Sequence, residues 1–412
     1  MYREIRNCRM CGNSGLDLLL ELGDQYLTGV FPRERTEALT RGPLTLVRCR
    51  TCGLVQLRHS YERMELYGAH YGYRSSLNAM MVDHLRDKAD ALRKRVELAA
   101  GDVVVDIGSN DGTFLSFFGG RGLRLVGFDP SAERWRDRYP ADATLVTDFF
   151  SASAAGGVIG ARKAKVVTSI AMFYDLERPL EFAEAVAGIL AADGVWHLEQ
   201  SYLPTMLRMN AYDTICHEHL EYYALEQIQW VAEQTGLTVL DVDMNDVNGG
   251  SFAVTLAKRL SSAPAESARL DRCLRAEAAL GMASLAPFRA FASRVAGHRA
   301  GLLDTLEGIR ARKQTVLGYG ASTKGNVILQ YAGIDRRLLP AIAEVNADKF
   351  GCVTPGTWIP IIPEAEAHAR KPDHFLVLPW HFRSGLMRRE APYLAAGGKL
   401  IFPLPEIDVV TA

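Results

Sequence analysis

Residues 102–112, DVVVDIGSNDG, constrain the fold more than any other stretch of this chain. An apolar, β-branched run ends on Asp106 and passes straight into a turn bearing Gly108 and Gly112. The helical pattern TFLSFF follows, and then a second apolar run, LRLVGFDP, which closes on Asp129 and Pro130. Two short apolar runs with a helix between them specify a β-loop-α-β unit, the repeating piece of a parallel sheet. Open α/β sheets bind ligands beyond the carboxyl ends of their strands, where both acids stand. Glycine lets backbone approach a ligand closely, and Asp129 is a candidate to accept both hydroxyls of a ribose. A nucleotide-free domain whose glycines only turn the chain is the competing reading.

The dinucleotide pattern G-x-G-x-x-G is absent, because Ser109 and Asn110 follow Gly108. The segment instead resembles motif I of class I S-adenosylmethionine-dependent methyltransferases. That resemblance implies a cofactor site made of Asp106, Gly108, Ser109, Asn110, Asp111, Gly112, Asp129 and Pro130. It also implies that Asp148, Phe149 and Phe150 lie beside the adenine. The end of the next strand, VVTSIAMFYDL at 166–176, would line the methionine side through Ser169, Met172 and Phe173.

Four of the seven cysteines form two C-x-x-C pairs, Cys8 with Cys11 and Cys49 with Cys52. Two such knuckles let four thiolates converge on a tetrahedron, the geometry of structural Zn²⁺. Four protein ligands leave no open position for water, so this metal is expected to staple a small module and take no part in chemistry.

With 23% charged residues and a formal net charge of −1, the chain shows no basic stripe for nucleic acid and no attraction to an anionic membrane. No run approaches the roughly 18 consecutive apolar residues of a membrane helix, and the first residues lack the pattern of a secretory signal. A cytoplasmic protein, monomer or homodimer, is expected, acting on a small molecule.

Residues 214–223, TICHEHLEYY, crowd two histidines and two glutamates into ten positions. A catalytic zinc helix reads H-E-x-x-H, but position 221 is Glu221, and His217 and His219 are two residues apart, which on a helix sends them to different faces. A general base and a polar helix end remain. Chain order puts the segment near the strand ends, directly after ADGVWHLEQSY at 192–202, whose Glu199 and Gln200 should also face the cleft. Methylation at carbon needs a base, because the carbon must first become an enolate or similar carbanion.

Taken in order, the cysteine pairs, DIGSNDGTF, YDTICHEHLEYY and LGYGASTKGNVILQY resemble the sugar C-methyltransferases that act on nucleotide-linked 4-keto-deoxysugars. The resemblance implies that His219 removes the proton at C-3, that Glu218 binds or orients the sugar, and that Tyr71 and Ser76 help enclose the cofactor. Antibiotic-sugar members carry an aromatic hydroxyl just before H-E-H, where this chain has Cys216. Tyr222 and Tyr223 are candidate substrate contacts, with packing an equal alternative, and Asn248 is a further candidate.

After an Ala-rich helical stretch, a second α/β unit opens at TVLGYGASTKG, with Lys324 available for a phosphate at a helix start. A purely structural Rossmann-like half is equally compatible. The expected architecture is therefore α/β, a class I methyltransferase core between a small zinc module and a C-terminal Rossmann-like domain. Its divisions are 1–75, 76–260, a helical connector at 261–313, and 314–412. The cofactors expected are S-adenosylmethionine and structural Zn²⁺, and the substrate a nucleoside-diphosphate keto-deoxysugar, the dTDP form in preference to others. A non-sugar natural product methylated at carbon, oxygen or nitrogen is the alternative, and a non-catalytic scaffold the third reading.

Overall fold

A computed structural model describes residues 1–35, 38–68 and 73–412. Its middle is a seven-stranded sheet built from β1 (Val103–Ile107), β2 (Arg124–Phe128), β3 (Thr144–Val146), β4 (Ala164–Ile170), β5 (Leu190–Ser201), β6 (Leu237–Asn245) and β7 (Ser251–Lys258). The spatial order is β6-β7-β5-β4-β1-β2-β3, and β7 runs antiparallel to both neighbours. All five residues of β1 are buried, as expected of a parallel strand covered on both faces. Val103, Val105 and Ile107 meet Phe128 and Trp196 on one side, while Val104 meets Phe114 and Leu125 on the other.

The helix Ala79–Arg95 covers that second face with Met81, Leu85, Ala89 and Leu92, spaced three or four apart so that one stripe turns inward. Asn78 starts it by accepting the Met80 N–H at 3.0 Å.

The C-terminal sheet contains β8 (Val316–Tyr319), β9 (Ile342–Glu344), β10 (Ile361–Pro363), β11 (His374–Val377), β12 (Lys399–Phe402) and β13 (Asp408–Val410). Its order, β10-β9-β8-β11-β12-β13, reverses direction at β8, which makes a crevice at the β8 carboxyl end. The helix Ala286–Ala311 packs against β8 and the N-terminal strand Leu16–Tyr26, burying Phe288, Phe291, Val295, His298, Leu302, Leu306 and Ile309 along one stripe.

The N-terminal strands Leu16–Tyr26, Arg41–Cys49 and Val55–Leu57 form an antiparallel sheet whose fourth strand comes from far along the chain. Glu221 and Tyr222 pair with Gln56 and Val55. The Leu57 N–H also donates to the Leu220 carbonyl at 2.8 Å. The end of the TICHEHLEYY segment is thus a strand, and His217 and His219 stand in and just after a turn at 217–218, not on a helix. Among the described residues, no helix is long and apolar enough to cross a membrane.

Candidate active site

Both α/β sheets present strand ends to a shared cavity of about 790 Å³. On the methyltransferase side its wall includes Asp106, Gly108, Ser109, Asn110, Asp129 and Pro130, with Asp148, Phe149, Phe150 and Met172. The loop after β1 is shaped by its own acids. Asp129 accepts the Asn110 N–H at 2.9 Å through one oxygen, and the Ser131 N–H at 2.7 Å and hydroxyl at 2.6 Å through the other. Burial raises Asp106 to about 7, against the Thr168 hydroxyl that donates to it at 2.6 Å. The Arg63 guanidinium lies 4.4 Å from the Phe149 ring centre, closing this end.

Several expected cofactor residues do not line the cavity. Asp111 points into its own loop, accepting from Thr113 and from the Ser76 N–H at 3.1 Å, while the Ser76 hydroxyl accepts from Arg138 at 3.4 Å and Ser75 takes the wall position. Gly112 packs against the Tyr139 ring, which a Cβ would meet at 2.8 Å. The Ser169 hydroxyl accepts the Trp196 indole N–H at 2.8 Å inside the core. Phe173 is fully buried among Trp196 and Tyr223. Tyr71 lies outside the described residues.

The H-E-H segment splits its histidines between core and cavity. His217 is fully buried, edge-on to Tyr61 at 4.6 Å, and burial lowers it to about 4. His219 lines the cavity, its ring 4.3 Å from that of Tyr174. Its Nδ1 lies 2.8 Å from the Thr214 carbonyl. A carbonyl only accepts, so Nδ1 carries the proton and Nε2 keeps its lone pair. Burial, followed by the Lys324 charge, lowers His219 to about 3, opposed by the Thr214 hydrogen bond.

Glu218 lines the cavity as well, and burial raises its carboxyl. Thr28 donates to it at 3.3 Å, and Gly29 leaves it room, since a Cβ there would stand 2.3 Å from Oε1. The Tyr67 hydroxyl donates to the Glu218 carbonyl at 2.7 Å. Asp175, which sequence reasoning missed, is a second acid here, raised well above the usual range by burial and then by the Glu218 charge. Only its place at the end of the Phe173–Asp175 turn after β4 brings it here.

Tyr222 and Tyr223 take the packing position that the sequence left open beside substrate contact. Neither lines the cavity; the Tyr223 hydroxyl donates to Glu221 at 3.2 Å, and both rings are buried where the short strand at 221–222 docks on the N-terminal sheet. Asn248 and Lys324 do line it, and they meet: the Lys324 ammonium donates to the Asn248 carbonyl at 2.6 Å, joining the two α/β halves across the cleft. Burial lowers Lys324. Beside it, Ser322 caps the helix Thr323–Ala332 by accepting the Gly325 N–H at 3.0 Å. Glu344, at the end of β9, accepts the Ala321 N–H at 3.0 Å and the Asn346 N–H at 2.9 Å.

Glu199, also on the wall, is gripped from the other face of β5 by His84 at 2.5 Å and Lys88 at 2.9 Å. Burial raises it, but these partners outweigh burial and hold it at about 2. Away from the cavity, the sulfurs of Cys8, Cys11, Cys49 and Cys52 all lie within 4.8 Å of one another. The Cys8–Cys52 and Cys11–Cys49 separations of 3.6 and 3.5 Å suit four thiolates about 2.3 Å from one Zn²⁺. Gln56 donates to the Cys8 sulfur at 3.1 Å, a supporting contact of the kind that orients metal ligands. Each knuckle turns at a glycine with left-handed φ, Gly12 at 74° and Gly53 at 73°.

A class I methyltransferase sheet, a cavity at its strand ends and a four-cysteine zinc site define an S-adenosylmethionine-dependent methyltransferase with a zinc module. Comparison with known proteins agrees along the whole chain. Residues 8–67 match the family described as "Putative zinc binding domain", 81–242 the "Methyltransferase domain", and 246–405 the "C-methyltransferase C-terminal domain". The C-terminal match begins at 246 although β7 completes the middle sheet, so the two domains share that strand's approach. C-methyltransferase NovU of Streptomyces niveus is 33% identical over 416 residues, covering 100% of this chain and 98% of its own. This chain belongs to the same C-methyltransferase family.

Among solved structures, magnesium protoporphyrin IX methyltransferase of Synechocystis PCC 6803 with bound S-adenosylmethionine aligns at 14% identity and TM-score 0.31, over 43% of this chain and 79% of that one. The 1,6-didemethyltoxoflavin-N1-methyltransferase of Burkholderia thailandensis aligns at 12% identity and TM-score 0.33, over 42% and 77%.

Proposed function

We propose that this C-methyltransferase acts on a nucleoside-diphosphate 4-keto-deoxysugar and that His219 takes the proton from the carbon beside the keto group. The observation that carries this reading is the Nδ1–H donated by His219 to Thr214, which leaves Nε2 as the basic nitrogen of a cavity-lining ring. Bound S-adenosylmethionine supplies an electrophilic methyl group. Asp129, Asn110 and Phe150 stand where its adenosine is expected, and Met172 on the methionine side. Glu218 orients the sugar from a wall position backed by Thr28 and Gly29.

Burial keeps His219 neutral and ready to accept a proton. Negative charge building on the keto oxygen counters the Lys324 push, so proton affinity rises as transfer proceeds. The crevice at β8 supports the nucleotide end. It offers the Ser322-capped helix start to the diphosphate and Glu344 at the strand-end position that meets a ribose in doubly wound sheets.

The test is mass spectrometry after offering a panel of dTDP-, GDP- and CDP-4-keto-6-deoxysugars. A gain of one methyl on one member is expected. Methylation of none of them, with transfer to a non-sugar acceptor, would overturn the substrate assignment and leave the methyltransferase class intact.

A further inference from the structure

Gln200 is 1% exposed and is one of the residues that border the cavity. Both of its polar atoms, Oε1 and Nε2, are shielded from solvent and have no hydrogen-bond partner among the described residues. Buried amides are ordinarily paired, and one left open at both ends is unfavourable for the fold unless something else completes it. Its neighbour Glu199 is the opposite case. Alternation along β5 turns Glu199 toward His84 and Lys88, which satisfy it. Gln200 is turned to the other face, the side of Trp196 and Leu198, where it borders the cavity that Met172, Tyr174 and His219 also line.

An amide presents one donor and one acceptor side by side. The complementary ligand is a carbonyl next to a hydroxyl. Resting on the reading of the preceding section, we propose that Gln200 binds the reacting carbonyl of the acceptor, its Nε2–H donating to the keto oxygen and its Oε1 accepting from a hydroxyl on a neighbouring carbon. In the reaction His219 Nε2 takes the proton from the α-carbon, and the C–H pair delocalises onto the keto oxygen. There the Gln200 hydrogen bond strengthens because its acceptor becomes anionic. The α-carbon then forms its bond to the methyl carbon, the sulfonium C–S bond breaks with its pair remaining on sulfur, and the carbonyl re-forms. Gln200 is in this assignment a catalytic residue that touches the substrate and stabilises charge that develops only during proton removal.

The experiment measures deuterium uptake from D₂O at the carbons flanking the keto group of dTDP-4-keto-6-deoxyglucose, or of whichever panel member is methylated, with S-adenosylhomocysteine in the donor site. Exchange isolates proton removal from methyl transfer. Gln200→Leu, similar in size and without polar atoms, is expected to slow exchange and kcat by about 10²–10³-fold, the usual effect of losing one such donor. Its S-adenosylmethionine Kd should stay within about twofold, and its melting temperature should hold or rise, because two unpaired polar atoms have been removed. Gln200→Glu covers the case in which the leucine variant fails to fold: it keeps shape and acceptor but lacks the donor, so exchange should again be lost. Exchange and turnover near wild type in either variant would overturn the assignment. His219→Asn separates the two ideas, since exchange retained there defeats the base, whereas exchange lost there but normal in Gln200→Leu defeats only Gln200.

Discussion

His219 Nδ1 stands 2.8 Å from the carbonyl oxygen of Thr214, five residues earlier in the same turn-rich segment. The contact sets both the tautomer and the direction of the ring, so the basic nitrogen is oriented before any substrate arrives. His219→Asn should lower methyl transfer by about 10²–10⁴-fold, the range of a general base, while leaving S-adenosylmethionine binding intact by calorimetry. Near-normal turnover would remove the base from the mechanism.

The same histidine makes a statement about pH. It acts as a base only when neutral, and its value is lowered to about 3, so kcat/KM should not fall as pH drops through the ordinary histidine region near 6.5. The acid limb is expected well below it. Lys324→Met removes a positive charge that helps push His219 down and should move that limb upward. A variant profile as flat as that of the wild type from pH 4 to 8 would show that Lys324 does not act on the base.

His217, two residues away, bears on stability. Its folded value of about 4 lies below the unfolded 6.5, so between those values the unfolded chain binds a proton that the folded chain refuses. Stability from this group is therefore complete above pH 6.5 and lost on acidification toward 4, by about 1.4 kcal/mol per pH unit. His217→Phe keeps a ring against Tyr61 and should flatten that slope in urea titrations at pH 7, 6 and 5. An unchanged difference between variant and wild type across these pH values would contradict it.

Zinc should matter to catalysis through the frame and not through chemistry. Removing it, by chelation or Cys49→Ser, should loosen the strands at 41–49 and 55–57, to the second of which Glu221, Tyr222 and Leu220 are hydrogen-bonded. Metal content, melting temperature and kcat should fall together. Full activity in metal-free protein with an unshifted melting temperature would disprove the coupling.

Asp129 should govern cofactor affinity twice over, by its own carboxylate and by holding Asn110 and Ser131 in place. Asp129→Ala is expected to weaken S-adenosylmethionine binding by roughly 10–100-fold, as losing a charged hydrogen-bonding group of about 1.5–3 kcal/mol would. Calorimetry reads this directly, and an unchanged Kd would place the ribose elsewhere.

Much of this was legible in local patterns. The run from Val103 to Asp129 announces strand, glycine turn, helix and strand, because burial on both faces demands continuous apolar residues and a ligand loop demands glycine. The two C-x-x-C pairs announce their metal for a similar reason, since each knuckle is a local structure. Ser76, Asp111, Ser169, Tyr222 and Tyr223, all polar or aromatic residues beside a motif, lie off the cavity wall. Each finds a partner or a core position within the protein instead of the cavity.

By itself, then, the sequence determined the elements, the metal ligands and the class of chemistry, because those depend on spacing over a few residues. Only the tertiary structure decided which of two nearby side chains faces the cavity: Ser75 or Ser76, His219 or His217. Side-chain direction there is set by pairings between distant segments, such as Glu221 with Gln56 and Lys324 with Asn248, and no local pattern encodes them.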